Sequence, residues 1–89
     1  MTRVRIPPTL RNEVGGEREL VGVGETVRQV LQDISGRYPA LEQQLFEDGA
    51  LAPFVNVYVG GEDVRTLDGL ETRVNGASVI LLPAMAGGC

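Results

Sequence analysis

The sequence contains no histidine and no lysine, and its only cysteine is residue 89. Histidine is the commonest general base and metal ligand, and one cysteine can form neither an internal disulfide nor a zinc site. Without lysine there is no side chain for Schiff-base chemistry, and the N-terminal amine is the only primary amine; codon bias is the simpler explanation of this absence. Together these absences argue against a metal site and against a self-contained enzyme.

Positive charge is also scarce, since eight arginines face twelve acidic residues and the net charge is −4. The arginines are scattered, whereas nucleic-acid binding needs clustered cations. No apolar run approaches membrane-spanning length, and no N-terminal segment has the pattern of a signal peptide. We therefore expect a cytoplasmic protein, monomeric alone, with neither a nucleic-acid nor a membrane partner.

The first half of the chain predicts two strands and then helical structure. Alternation over residues 2–6 predicts a strand, and residues 18–23 predict a second strand that is reached through a hairpin turn at Gly15-Gly16. Residues 26–38 switch to helical spacing, and Gly36 marks the expected end of that helix. A short second helix is predicted over residues 40–46, and Asp48-Gly49 is predicted to turn the chain after it.

The second half of the chain predicts three more strands. Residues 54–59 and 62–65 form a hairpin, and residues 79–82 form a last strand that ends at Pro83. At 89 residues and 43% hydrophobic, the chain has room for one domain with a thin core. We expect an α+β architecture, in which one main helix crosses one face of a mixed sheet with the first and last strands at its centre.

The last six residues, 84–89, are predicted to form a flexible functional tail beyond a domain of residues 1–83. A short spacer, Ala84-Met85-Ala86, separates the last strand from Gly87-Gly88. A glycine pair near an end is a weak signal in a sequence with 12 glycines. It becomes stronger because it directly follows the final strand of a sheet with one crossing helix.

Several stretches of the sequence resemble the ubiquitin-like sulfur carriers, a β-grasp family that includes the thiamine sulfur carrier and the small subunit of molybdopterin synthase. The likeness is greatest to the actinobacterial carriers that serve cysteine biosynthesis. It covers nearly the whole chain. The stretches that carry it are residues 4–7, 24–27, 54–59, 62–65 and 82–88.

The resemblance implies that an ATP-dependent activating enzyme adenylates the Gly88 carboxylate and that sulfide or a persulfide then displaces AMP to leave a thiocarboxylate. A partner synthase would deliver this sulfur to an acceptor, and ATP would bind to the activating enzyme, so that no cofactor is bound here. Cysteine, a pterin, a thiazole, a thiosugar or a siderophore precursor are all possible products. Two other functions stay open: a ubiquitin-like modifier conjugated through Gly88, and an interaction domain with an inert tail.

Carriers ready for activation end at the second glycine, so Cys89 is a departure from the family pattern within the tail segment Ala86-Gly87-Gly88-Cys89. It is a natural extension that a JAMM-type metallopeptidase removes, or the product of cysteine transfer, in which the thiocarboxylate captures an activated serine and an S-to-N shift follows. It is otherwise an added label or adduct mimic, or an incidental thiol. The first three explanations place the site at the Gly88–Cys89 bond.

The sheet face away from the helix is the predicted docking surface for partners. If Val79 and Leu81 point into the core, strand alternation sends their neighbours to this face. An exposed patch of aromatic and aliphatic side chains often marks an interface; the alternative is that some of them pack under the second helix or a loop. The predicted docking residues are Arg3, Arg5, Phe54, Asn56, Tyr58, Ile80 and Leu82.

Overall fold

The computed structural model describes residues 1–83, and the predicted tail, residues 84–89, lies outside the described residues. The strands are β1 (Thr2–Arg5), β2 (Glu19–Gly22), β3 (Phe46–Glu47), β4 (Ala50–Leu51), β5 (Val55–Val59), β6 (Glu62–Asp63) and β7 (Val79–Pro83). The helices are α1 (Val27–Arg37) and α2 (Pro39–Leu45), with 3₁₀ turns at Pro8–Val14, Val64–Thr66 and Gly69–Glu71.

Five of the strands form one mixed sheet in the order β2-β1-β7-β5-β6. β1 and β7 run parallel, with Val4 opposite Val79, and the other neighbours are antiparallel. The first and last strands are therefore inner strands, as their apolar sequences predicted. β3 and β4 form a separate hairpin of two strands.

The core lies between the sheet and the two helices. Alternation in β5 and β7 places Val57, Val79 and Leu81 in the core with at most 1% of their surface exposed. Helical spacing in α1 buries one stripe of side chains against them. That stripe consists of Val27, Val30, Leu31 and Ile34. The predicted α+β sheet with one main helix across it is confirmed.

Helix α1 begins as predicted but runs further than expected. Its N-cap, Thr26, accepts a hydrogen bond from the backbone N–H of Gln29. The prediction that Gly36 ends the helix is wrong, because the helix continues through Gly36 to Arg37. The stop comes from Pro39, which disfavours helical geometry at the residue before it.

Helix α2 and the segment after it differ in detail from the predictions. α2 starts at Pro39 and ends at Leu45, one residue earlier at each end than predicted. Asp48 and Gly49 make the predicted turn with φ angles of 55° and 80°. Two positive φ angles suit a tight hairpin, and the turn joins β3 to β4, which the sequence did not predict.

The connection between β1 and β2 is longer than a hairpin turn. After Pro7 the chain forms the 3₁₀ turn Pro8–Val14, which sends Leu10 and Val14 into the core. The prediction that a tight turn at residues 15–16 alone joins the two strands is therefore wrong. The prediction that β1 and β2 are antiparallel neighbours is confirmed. Leu10 and Val14 are four residues apart, but the prolines before them hide this helical spacing in the sequence.

The remaining strands differ from prediction mainly at their ends. The segment predicted as a strand over residues 62–65 leaves the sheet after Asp63, because Val64 turns into the core. β7 does not stop before Pro83 but includes it, with Pro83 opposite Val55. Across residues 1–83 neither helix is long and apolar enough to cross a membrane.

Candidate functional site

β7 determines where the predicted tail leaves the domain. It is the middle strand of the five-stranded sheet, and Pro83 is its last residue. Gly88 lies five residues beyond Pro83 in the sequence. The candidate site is therefore the end of the sheet at which β7 terminates, together with the side chains on the face that the helices leave uncovered.

A row of side chains crosses this face at Ile80, three residues before the end of β7. Ile80 lies opposite Arg5 of β1 and opposite Tyr58 of β5. Both Ile80 and Tyr58 are half-buried, and Arg5 is exposed. Side chains directly opposite one another on neighbouring strands are in contact range. The row thus presents a cation, an aliphatic group and an aromatic ring side by side.

A second row lies nearer the end of β7. Leu82, with 43% of its surface exposed, is opposite Asn56. Arg65 reaches this row from the turn after β6: its Nη1 donates to Oδ1 of Asn56 at 2.7 Å and its Nη2 donates to the carbonyl of Ala52 at 2.9 Å. Asp63 fixes that turn by accepting a 2.8 Å hydrogen bond from the backbone N–H of Arg65.

The other predicted docking residues lie at different distances from the end of β7. Phe54 is 48% exposed and directly precedes Val55, which pairs with Pro83, so this residue lies beside the end of β7. Arg3 is opposite Val21 of β2, nearer the other end of β1. Six of the seven predicted residues therefore gather around the last four residues of β7, and Arg3 stands apart.

A groove of about 270 Å³ lies between the last residues of β7 and the chain that follows β1. β1 ends at Arg5, and the two prolines that follow have no N–H with which to extend the ladder, so the chain diverges from β7. Arg11 lines the groove and is anchored by a 3.1 Å hydrogen bond from its Nε to the carbonyl of Ile6. The full lining is Arg5, Ile6, Pro7, Pro8, Arg11, Ile80, Leu81 and Leu82.

The groove and the second row bring three arginines to the end of β7, where Glu19 lies opposite Arg5 and Asp63 lies opposite Tyr58. Arg5 and Arg11 line the groove beside Leu82, and Arg65 is bonded to the residue opposite Leu82. We call these three residues the arginine collar. Sequence reasoning missed Arg11 and Arg65, because only the tertiary fold brings them to this end. Within residues 1–83 no group of three or more metal-ligating side chains lies together.

Comparison with known proteins assigns the family. The sequence model of the ThiS family matches residues 4–88, which is nearly the whole chain and includes both tail glycines. The chain belongs to the ThiS family. It is a ubiquitin-like sulfur carrier by family and a β-grasp protein by fold, as the sequence predicted.

Similar ThiS-family and ubiquitin-like proteins are known from bacteria and archaea. The sulfur carrier protein CysO of Mycobacterium tuberculosis is 40% identical to this chain over 96% of each sequence. CysO in the crystal structure of the Amycolatopsis orientalis BexX/CysO complex has a TM-score of 0.91 at 39% identity, covering 99% of this chain and all of that one. The small archaeal modifier protein 1 of Methanosarcina acetivorans has a TM-score of 0.85 at 33% identity, covering 98% of this chain and 95% of that one.

The structural matches cover both the sheet and the helices. The similarity to CysO therefore includes β7 and the strands around it, which build the candidate site. The similarity to a protein named as a modifier is lower but still extends over nearly the whole chain. The relatives named here are a sulfur carrier protein and a small archaeal modifier protein.

Proposed function

We propose that this ThiS-family protein carries sulfur as a thiocarboxylate on Gly88 and donates it to a biosynthetic partner enzyme. In the first step the Gly88 carboxylate attacks the α-phosphorus of ATP in an activating enzyme, and pyrophosphate leaves. In the second step sulfide attacks the acyl carbon, and AMP leaves with the bonding electrons. The observation that carries the proposal is the family match through Gly88, beyond the point where the central strand ends.

The fold supports a division of labour between the domain and the tail. The domain offers no histidine for proton transfer, so the chemistry of activation falls to the partner. Two successive glycines lack side chains and fit a narrow site that bulkier residues would block. The domain would remain outside the partner, and we expect it to bind neither ATP nor a metal.

The proposed docking surface is the face formed by the two rows around the end of β7. Leu82 and Phe54 expose apolar surface there, and Tyr58 and Ile80 continue it across the sheet. Apolar and aromatic groups that are buried on association contribute most of the energy of an interface. The BexX/CysO crystal structure supports the proposal that the domain docks on a partner, because a similar carrier forms a complex with a second protein.

Cysteine biosynthesis is the pathway that we propose, on the similarity to CysO. Gly88 has a free carboxylate only after Cys89 is removed. A JAMM-type metallopeptidase acting on the Gly88–Cys89 bond would supply that form, whether Cys89 is an extension or the amino acid formed in the previous cycle. The protein would then work in the cytoplasm with an activating enzyme, a synthase and the peptidase.

The proposal is tested with protein that ends at Gly88, incubated with ATP, sulfide and the activating enzyme of the same organism. We expect the intact mass to rise by one exchange of oxygen for sulfur. Protein that retains Cys89 is the control, and it should stay unchanged until a peptidase is added. The activating enzyme must first be shown to be active on a carrier that it is known to modify. If the same enzyme then leaves the mass of the trimmed protein unchanged, the proposal is contradicted.

A second function, conjugation to other proteins, is favoured by the similarity to small archaeal modifier protein 1. The acyl carbon of an adenylated Gly88 can be attacked by a lysine amine as well as by sulfide. A search of cell lysate for peptides with a lysine joined to Gly88 distinguishes the two functions. Such adducts in the absence of thiocarboxylate would favour the modifier.

A further inference from the structure

β2 lies at one edge of the five-stranded sheet, and within residues 1–83 no strand pairs with its outer side. The backbone N–H of Ile6 donates to the carbonyl of Arg18 at 2.9 Å, so the backbone of Arg18 faces inward, towards the sheet. In an antiparallel pair, successive residues alternate between the two sides of a strand. The N–H and C=O groups of Glu19, Val21 and Val23 therefore face outward, where a further strand could pair with them.

Two side chains of α1 occupy this outer side of β2. Nη2 of Arg37 donates to the carbonyl of Val21, and the backbone N–H of Val23 donates to Oδ2 of Asp33 at 3.0 Å. The same carboxylate oxygen accepts a 3.2 Å hydrogen bond from Nη2 of Arg37, which joins the two side chains. Arg37 thus supplies the donor, and Asp33 the acceptor, that a neighbouring strand would supply. We call Asp33 and Arg37 the edge clip.

The edge clip reaches β2 because α1 packs closely over the end of this strand. Gly22 is the last residue of β2, and a Cβ there would stand 2.8 Å from Cγ1 of Val30 and 2.9 Å from the carbonyl oxygen of Val30. Only a glycine leaves room for the helix at this distance. Asp33 and Arg37 follow about one and two helical turns beyond Val30, which places them beside the outer side of the strand.

The side chains of β2 itself do little to protect this edge. Edge strands avoid pairing through short length, proline, bulges or charge. The opposite edge strand, β6, has only two residues and both are acidic, whereas β2 has four residues in unbroken register with β1 and no proline. If two copies paired antiparallel about Val21, Glu19 of one would face Val23 of the other, so no like charges would be opposed. Val21 and Val23 are 43% and 61% exposed, and this pairing would bury part of their apolar surface.

We propose that the edge clip keeps the protein monomeric by occupying the outer hydrogen-bonding groups of β2, and that its removal lets a second copy of the chain pair with this strand. The two β2 strands would run antiparallel, related by a two-fold axis at Val21. The ion pair between Asp33 and Arg37 is exposed and contributes little to stability by itself, so its effect comes from the backbone groups that it covers. The inference does not rest on the proposed chemistry of Gly88.

The test compares two double variants of the full chain. D33A/R37A removes the edge clip, and the control, E25A/R73A, removes another exposed ion pair, whose 3.6 Å contact joins only the two charged groups. Each variant loses one acid and one arginine, so both keep the net charge of −4. Alanine is the best helix former, and α1 should therefore persist in D33A/R37A. A thiol reductant prevents Cys89 from linking two copies.

Sedimentation velocity at up to about 1 mM protein detects an association as weak as millimolar. We expect the weight-average mass of D33A/R37A to rise towards twice that of the monomer, and the original sequence and E25A/R73A to stay monomeric.

Further substitutions in D33A/R37A locate the contact. Val21→Pro removes the outward N–H at the two-fold axis, and Val21→Lys opposes two ammonium groups there, so each should restore the monomer. Leu82→Glu changes the uncovered face at the end of β7 and should leave the dimer intact.

Three results would overturn the proposal: a monomeric D33A/R37A with the far-ultraviolet circular dichroism of the original sequence, equal dimerisation of the original sequence or of E25A/R73A, or a dimer that persists with both Val21 substitutions. If D33A/R37A fails to fold, R37A alone frees the Val21 carbonyl and should dimerise, and a monomeric R37A would then overturn the proposal. Each of these outcomes leaves the sulfur-carrier proposal standing, because that proposal is tested by the change in mass at Gly88.

Discussion

Arg65 Nη1 donates a 2.7 Å hydrogen bond to Asn56 Oδ1 on the uncovered face of the sheet. The same guanidinium also binds the carbonyl of Ala52, a fully buried residue, from its other nitrogen. Arg65 thus ties the turn after β6 to the loop before β5. This double contact holds a cation of the collar beside the residue opposite Leu82.

We expect Arg65→Ala to lower the free energy of unfolding by about 1 kcal/mol, because it leaves the Ala52 carbonyl without this donor. Asn56→Ala removes only the exposed partner and should cost less than about 0.5 kcal/mol. Urea denaturation followed by circular dichroism measures both values. Equal losses in the two variants would show that the Ala52 contact contributes nothing.

Two glycines with opposite surroundings should respond oppositely to alanine. A Cβ at Gly24 would stand 2.5 Å from Gln29 Cβ and 2.8 Å from the backbone nitrogen of Val30, so Gly24→Ala should cost roughly 2–3 kcal/mol. Gly36 lies inside α1 with nothing within 4 Å, so Gly36→Ala should stabilise by roughly 0.5–1 kcal/mol. Thermal unfolding of both variants measures the change in the free energy of unfolding. A change of the same sign in both variants would be inconsistent with this packing.

Leu82→Glu should impair docking without loss of stability. A carboxylate at the centre of the proposed interface would be desolvated on association, which predicts a fall in kcat/KM for adenylation of at least about tenfold. Leu67→Glu is the matched control, since Leu67 is also 43% exposed but lies on a turn outside the sheet. Pyrophosphate release by the activating enzyme measures the effect, and equal losses in both variants would place the interface elsewhere.

Gly87→Val should slow activation or sulfur transfer by at least about tenfold, because a branched side chain enlarges the segment that enters the partner. The free energy of unfolding should stay within about 0.5 kcal/mol of the original value. Ala84→Val adds bulk three residues nearer the sheet and should have a smaller effect. Single-turnover formation of the thiocarboxylate, followed by mass, compares the two; a larger effect at Ala84 would argue against a narrow partner site around the glycines.

The sequence predicted the fold where side-chain periodicity was strong. Val79 and Leu81 alternate with Ile80 and Leu82, and the strand, its central position and its buried face all followed from that pattern. Where a segment was short the pattern failed: β3 and β4 have two residues each, too few to show alternation. The 3₁₀ turn that buries Leu10 was not predicted for a different reason, because Pro7 and Pro8 at its start interrupt the helical pattern.

The candidate site was predictable only in part. Ile80 and Leu82 could be placed on one face because they alternate with buried neighbours on β7, whereas Phe54, which was predicted to be in a strand, lies in the turn just before β5. Arg11 and Arg65 lie on turns, and they come to the end of β7 through hydrogen bonds to Ile6 and Asn56. Such contacts depend on how distant segments pack, which the local sequence does not encode.

The position of β7 also has a consequence for how the protein is made. Within residues 1–83, β1 meets β5 only through β7, which follows both strands in the sequence, so the sheet cannot close until residues 79–83 have left the ribosome. A chain truncated before β7 would expose the edges of β1 and β5 that β7 covers in the complete sheet. Unpaired strand edges make such a chain prone to aggregation and to binding by chaperones. Every folded copy would therefore have been translated at least as far as Pro83, the residue before the tail. Folding thus selects for chains whose synthesis has reached the tail.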